Sequence, residues 1–200
     1  MERRYCTRAI EVRKAEDAVT TLRGYAAVYD SPSDPIMGRF IERLAPGCFD
    51  AALASNPDVL CRFEHEGGLM IMGRTSSGTL RIGSDGTGLW YEVDLPNTSA
   101  ARDLGELVKR GDVSGSSFAF GPPEPDDQVW VRDKGKLPVR TITRIKELID
   151  VAPVSSPAYR ATDVSARSLE LAEAVPEPSE VALDTEVARL KLELTARDFS

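Results

Sequence analysis

Between residues 20 and 154 the apolar positions come in short runs separated by turn-forming residues, a spacing that predicts strands more than helices. The runs are Thr20 to Tyr29, Asp58 to Phe63, Thr79 to Gly83, Gly88 to Leu95, Val113 to Phe120, Val129 to Arg132, Val139 to Ile145 and Leu148 to Val154. Ser84-Asp85-Gly86-Thr87-Gly88 reads as a hairpin turn, because glycine supplies the positive φ that tight reversals need. Two segments break the pattern. Cys48 to Ser55, after Pro46-Gly47, predicts a short helix. Ser99 to Arg110 predicts a longer one, with Ala101, Leu104, Leu107 and Val108 on one face, Asn97, Thr98 or Ser99 as N-cap, and Gly111 to close it. The expected class is therefore mostly β with flanking helices (α+β), its strands mainly antiparallel.

Beyond this region the chain changes character. All 15 glycines lie between Gly24 and Gly135. Pro176-Glu177-Pro178-Ser179 marks a linker, and Val181, Leu183, Val187, Leu190 and Leu194 then recur at three- and four-residue spacings, describing a helix with one apolar stripe. The expected division is a domain over 1–163, a linker over 164–179 and an amphipathic helical tail over 180–200. Such a stripe needs a partner, either the chain's own domain or another copy or assembly component.

Composition narrows the function classes. With 42% apolar and 28% charged residues, the 200-residue chain fits a globular protein and not a disordered or collagen-like one. A net charge of -7 disfavours a protein whose main partner is a phosphate backbone, so nucleic acid is not expected as a partner. No run approaches the roughly 18 apolar residues of a membrane span, and the opening Met-Glu-Arg-Arg-Tyr has no apolar signal core; the expectation is no membrane partner. Cys6, Cys48 and Cys61 form neither an even disulfide framework nor a Cys-x-x-Cys knuckle, and the lone histidine, His65, excludes multi-histidine metal sites. No metal or cofactor is expected.

A single histidine can still serve as the base of a nucleophile. His65 follows the strand-like Val59-Leu60-Cys61-Arg62-Phe63 and precedes Glu66-Gly67-Gly68, which puts it at a strand end opening into a loop. Candidate nucleophiles cluster in Val113-Ser114-Gly115-Ser116-Ser117-Phe118-Ala119-Phe120. On a strand Ser117 points away from Phe118 and Phe120 and is expected to be exposed, while those rings anchor the core. Ser114 and Ser116 remain alternatives. Asp150 is an acid inside an otherwise apolar strand, and a buried carboxylate needs a partner; a structural hydrogen bond and a role beside the histidine both fit. Cys61 is no rival nucleophile, because four strand residues separate it from His65 by roughly 13 Å.

Seven segments in order resemble the caudoviral prohead, or head maturation, serine proteases, whose fold is similar to that of herpesvirus assemblin. They are Leu22 to Tyr29; Glu42 to Phe49; Phe63-Glu64-His65-Glu66 with Met72-Gly73-Arg74; Gly86 to Leu89; Leu95 to Thr98; Gly111 to Phe120; and Asp150 to Tyr159. The resemblance implies an assemblin-like antiparallel β-barrel, with His65 as general base, Ser117 as nucleophile and Asp150 in the slot where the family usually has glutamate. Glu66 stands where the family usually has aspartate, and Ala119 where it has glycine. The implied activity is a serine endopeptidase that cleaves scaffold, or the scaffold-like segment of the major capsid protein precursor, and also itself. It would act in the host cytoplasm inside assembling proheads, with self-association. Backbone amides after the serine, Arg74 or Arg144 are candidate oxyanion donors. The rival reading is a noncatalytic head-assembly module that keeps the protease fold.

Overall fold

A computed structural model of the chain describes residues 1–14, 20–155 and 166–176. Its strands are β1 (Glu2–Cys6), β2 (Glu11–Lys14), β3 (Thr20–Val28), β4 (Ile41–Leu44), β5 (Leu60–Arg62), β6 (Ile71–Arg74), β7 (Leu80–Ser84), β8 (Gly88–Asp94), β9 (Gly115–Phe120), β10 (Gln128–Val131), β11 (Val139–Ile142) and β12 (Leu148–Val154). The helices are α1 (Asp50–Ala54), α2 (Ser99–Arg110) and α3 (Ala166–Ala174).

These strands form a five-stranded sheet in the order β1-β9-β12-β5-β6, a four-stranded sheet β2-β3-β8-β7 and a three-stranded sheet β10-β11-β4. The class expected from the sequence, mostly β with few helices, is what the chain adopts. The closed antiparallel barrel is not. Among the described residues there are three separate sheets, and β12 pairs with β5, and β11 with β4, in parallel. The physical reason is long-range order: hairpin logic places consecutive strands side by side, whereas here strands almost 90 residues apart meet, which no local pattern encodes.

Aromatic packing fills the space between the larger sheets. Phe118 meets Phe49 edge-on at 5.3 Å and stacks on Phe120 at 5.1 Å. Gly24 packs closely against its neighbours: a Cβ there would lie 3.0 Å from Ser116 Oγ and from the Tyr91 side chain, so those groups would have to shift. The sequence pattern of α2 is realised: Thr98 Oγ1 accepts from the Ala101 amide, Ala101, Leu104 and Val108 are buried, and Gly111 closes the helix at φ 83°.

Four strands have no counterpart among the expected runs: β1, β2, β4 and β6. In β1 the cause is an inverted pattern, since Glu2, Arg4 and Cys6 face inward while Arg3 and Tyr5 are half-buried. The inward charges satisfy one another. Arg4 holds Glu42 with Nη2 at 2.8 Å and Glu2 at 2.7 Å; Arg140 Nη1 lies 2.9 Å from Glu2 and 3.1 Å from Glu42. This buried quartet ties β1, β4 and β11 together, and Ser168 of α3 donates to Glu2 at 2.7 Å. Residues 166–174, placed in the linker by the sequence, are thus helical and attached to the fold, with Ala172 packed beside Ile36 and Phe40. The boundary at 163 and the tail over 180–200 lie outside the described residues.

Candidate active site

Three adjacent strands build the site. Ser117 of β9 stands opposite Ala152 of β12, and Asp150 lies two residues before Ala152, so Ser117 and Asp150 project from the same face of the sheet. Beside β12 runs β5, with Leu60 opposite Asp150. The chain leaves β5 in a short 3-10 turn, Phe63–His65, that swings His65 back over this face. Glu64 and His65 adopt φ 54° and 59°, two successive non-glycine residues in the left-handed region. Such conformations cost on the order of 1–2 kcal/mol per residue and persist only where surrounding contacts hold them.

The single imidazole joins the other two groups. His65 Nδ1 is 2.7 Å from Asp150 Oδ1, and Nε2 is 2.6 Å from Ser117 Oγ. A carboxylate can only accept, so Nδ1 carries the proton and Nε2 presents its lone pair to the serine. All three residues are buried, with Ser117 at 0% and Asp150 at 1% exposure. The alternation argument for Ser117 gives the correct face, but the expected exposure is wrong, because every residue of β9 is buried, on both faces of the sheet.

Two further contacts complete the arrangement. Ser117 Oγ also donates to the Arg4 carbonyl of β1 at 2.8 Å, so its one proton faces two acceptors, Nε2 and the carbonyl. Arg62 Nη1 lies 3.5 Å from Asp150 Oδ2 and faces the carboxylate oxygen that the imidazole leaves free. No sequence signal marks the Arg4 carbonyl, since any residue carries one, and Arg62 is one of many charged strand residues. The Tyr5 ring lies nearly perpendicular to the imidazole, with centroids 6.4 Å apart.

The alternative nucleophiles are placed elsewhere. Ser116 faces the core, its Oγ 2.9 Å from the Tyr91 hydroxyl. Ser114 lies ahead of β9, exposed. Of the two arginines considered as oxyanion donors, Arg74 Nε donates to Asp58 at 2.8 Å and Arg144 Nη1 lies 3.5 Å from Asp127. The cysteines are reduced and buried. Burial, reinforced by the nearby Asp150 charge, pushes the Cys61 thiol far above its ordinary pKa; burial, reinforced by the Asp50 and Glu42 charges, pushes Cys48 up to about 12. Thiolate chemistry is thereby suppressed.

Chemically, a hydroxyl on a neutral imidazole that is backed by a carboxylate is an activated nucleophile suited to acyl transfer. Among the described residues no cluster of histidine, cysteine, aspartate or glutamate could hold a metal ion, and no helix is long and apolar enough to cross a membrane. In a comparison with known protein families, the family described as caudovirus prohead serine protease matches the chain over residues 8–175. No curated protein and no solved structure matches the chain.

Proposed function

Because this chain belongs to the caudovirus prohead serine protease family, we propose that Ser117, His65 and Asp150 form the catalytic group of a head-maturation endopeptidase. The observation that carries this reading is the imidazole lying within 2.7 Å of both partners, in the orientation that transfers a proton from serine to Nε2. Ser117 Oγ attacks the scissile carbonyl carbon while Nε2 takes its proton; the imidazolium is stabilised by Asp150 and returns the proton to the leaving amine. Water, deprotonated by the same nitrogen, then cleaves the acyl-enzyme and regenerates the serine. Asp150 replaces the usual glutamate without loss of reach. The bulge that shifts the β12–β9 register between Leu148 and Asp150 lies at this residue and offers a way to compensate for the shorter side chain.

The substrates in this reading are the scaffold or the scaffold-like segment of the capsid protein precursor, inside the assembling prohead, and the protease itself. Copies of the chain associate there. The test is co-expression with the capsid precursor. Wild type and Ser114→Ala should process it, and Ser117→Ala and His65→Ala should not. Processing that persists in the histidine variant refutes the mechanism. The noncatalytic head-assembly reading has one observation on its side, the complete burial of Ser117. It predicts no processing by wild type and unaltered assembly in all the variants.

A further inference from the structure

The carboxylate of Glu64 has no part in the proton transfer, yet it sits one residue before the base. Its Oε1 accepts a hydrogen bond from the Ser155 backbone amide at 2.6 Å. Ser155 directly follows β12, the strand that supplies Asp150. We infer that Glu64 is a positioning residue: its bond to Ser155 locks the left-handed turn that carries His65 onto β12, and so sets the imidazole between Asp150 and Ser117. The inference deepens the proposed function, because it concerns the same site.

Three observations converge on it. The backbone at Glu64 and His65 lies in the left-handed region, at φ 54° and 59°, where non-glycine side chains are strained and the alternative extended conformation would swing the imidazole away. The turn is only three residues long, and the Glu66 amide closes it by donating to the Phe63 carbonyl at 2.9 Å. Among the described residues, the other side-chain ties from Arg62 and His65 to β12, His65 to Asp150 and Arg62 to Asp150, both end on the carboxylate that the base itself uses. Among the described residues, Glu64 is the side chain of the turn that is tied to backbone just beyond β12, at Ser155. That frame would hold the ring in place when Asp150 must follow the charge that develops on the imidazole.

Since His65 is the only histidine in the chain, its ring protons can be observed without overlap. The experiment measures the low-field Nδ1 proton of His65 by NMR, together with kcat and KM for capsid-precursor cleavage, in full-length wild type, Glu64→Gln, Glu64→Asn and Glu64→Ala. Wild type and Glu64→Gln, which keeps an acceptor oxygen at the same reach, should show a sharp Nδ1 proton and activities within about twofold of each other. Glu64→Ala and Glu64→Asn should broaden or lose that resonance at an unchanged folded fraction. Their kcat should fall about 10-fold to 100-fold with KM little altered, the range for a misplaced catalytic group. Asparagine tolerates the left-handed backbone but is too short for Ser155, so it separates the hydrogen bond from backbone strain and covers the case in which alanine unfolds the protein. A sharp resonance with wild-type kcat in Glu64→Asn overturns the inference, as does equal loss in Glu64→Gln. Retention of the predicted NMR pattern with no precursor cleavage by wild type would leave the positioning role standing and refute the proteolytic reading instead.

Discussion

Replacing Asp150 by asparagine keeps the shape of a fully buried side chain and removes only its charge and one acceptor. Both neighbours of that carboxylate are donors: His65 Nδ1 at 2.7 Å and Arg62 Nη1 at 3.5 Å. An amide has one oxygen to offer. If it faces Arg62, the NH2 group faces Nδ1, which must then accept; the ring proton moves to Nε2, and the atom that should take the serine proton becomes a donor. If the oxygen faces His65 instead, the NH2 group is turned toward a guanidinium and the imidazolium has no counter-charge. At a separation of 2.7 Å and an effective dielectric constant of about 20, the lost attraction is about 6 kcal/mol, roughly 10⁴-fold in rate. That agrees with the loss of about 10⁴ known for the same change in the serine–histidine–aspartate template. The assay is the single-turnover rate of capsid-precursor cleavage, with a thermal melt run in parallel to show that the variant is folded. A folded Asp150→Asn enzyme that retains more than a tenth of wild-type activity would refute the assignment of Asp150.

Other consequences follow from neighbouring contacts. Ser116→Ala should leave cleavage intact while costing about 1–3 kcal/mol in urea unfolding, because the fully buried Tyr91 hydroxyl loses its partner at 2.9 Å. A disulfide-exchange reagent such as DTNB should fail to label Cys48 and Cys61 in the native protein and should label both after denaturation; rapid native labelling of Cys61 would contradict its burial. Acid should weaken the fold through Glu2. Burial raises its carboxyl, but the Arg4 and Arg140 guanidinium groups and the Ser168 and Arg140 hydrogen bonds outweigh this, lowering it from 4.5 to about 2. A depressed folded value means that the stabilisation is complete above about pH 4.5 and is lost as the pH falls toward 2. It amounts to on the order of 3 kcal/mol. Comparing urea midpoints at pH 6 and pH 3 for wild type and Glu2→Gln should show a smaller acid loss in the variant.

Much of this protein is legible from its residues in order. Local periodicity identified the strands whose apolar residues alternate against a core, such as β8, and capping chemistry identified α2, because both are decided by neighbours within a few positions. The uniqueness of His65 restricts the choice of base, and strand alternation gives the face of Ser117. Strand β1 was hidden, since its inward side carries Glu2 and Arg4, whose burial depends on Glu42 and Arg140 far along the chain. The same limit applies to the sheet order and to the parallel pairing of β12 with β5, which places Asp150 beneath an imidazole 85 residues away. The burial of Ser117, the Arg4 carbonyl on its hydroxyl and the bond from Glu64 to Ser155 belong to tertiary structure as well. Residue types and spacing specify which groups are available; only the pairing of distant strands, driven by burial and long-range hydrogen bonding, decides which of them meet.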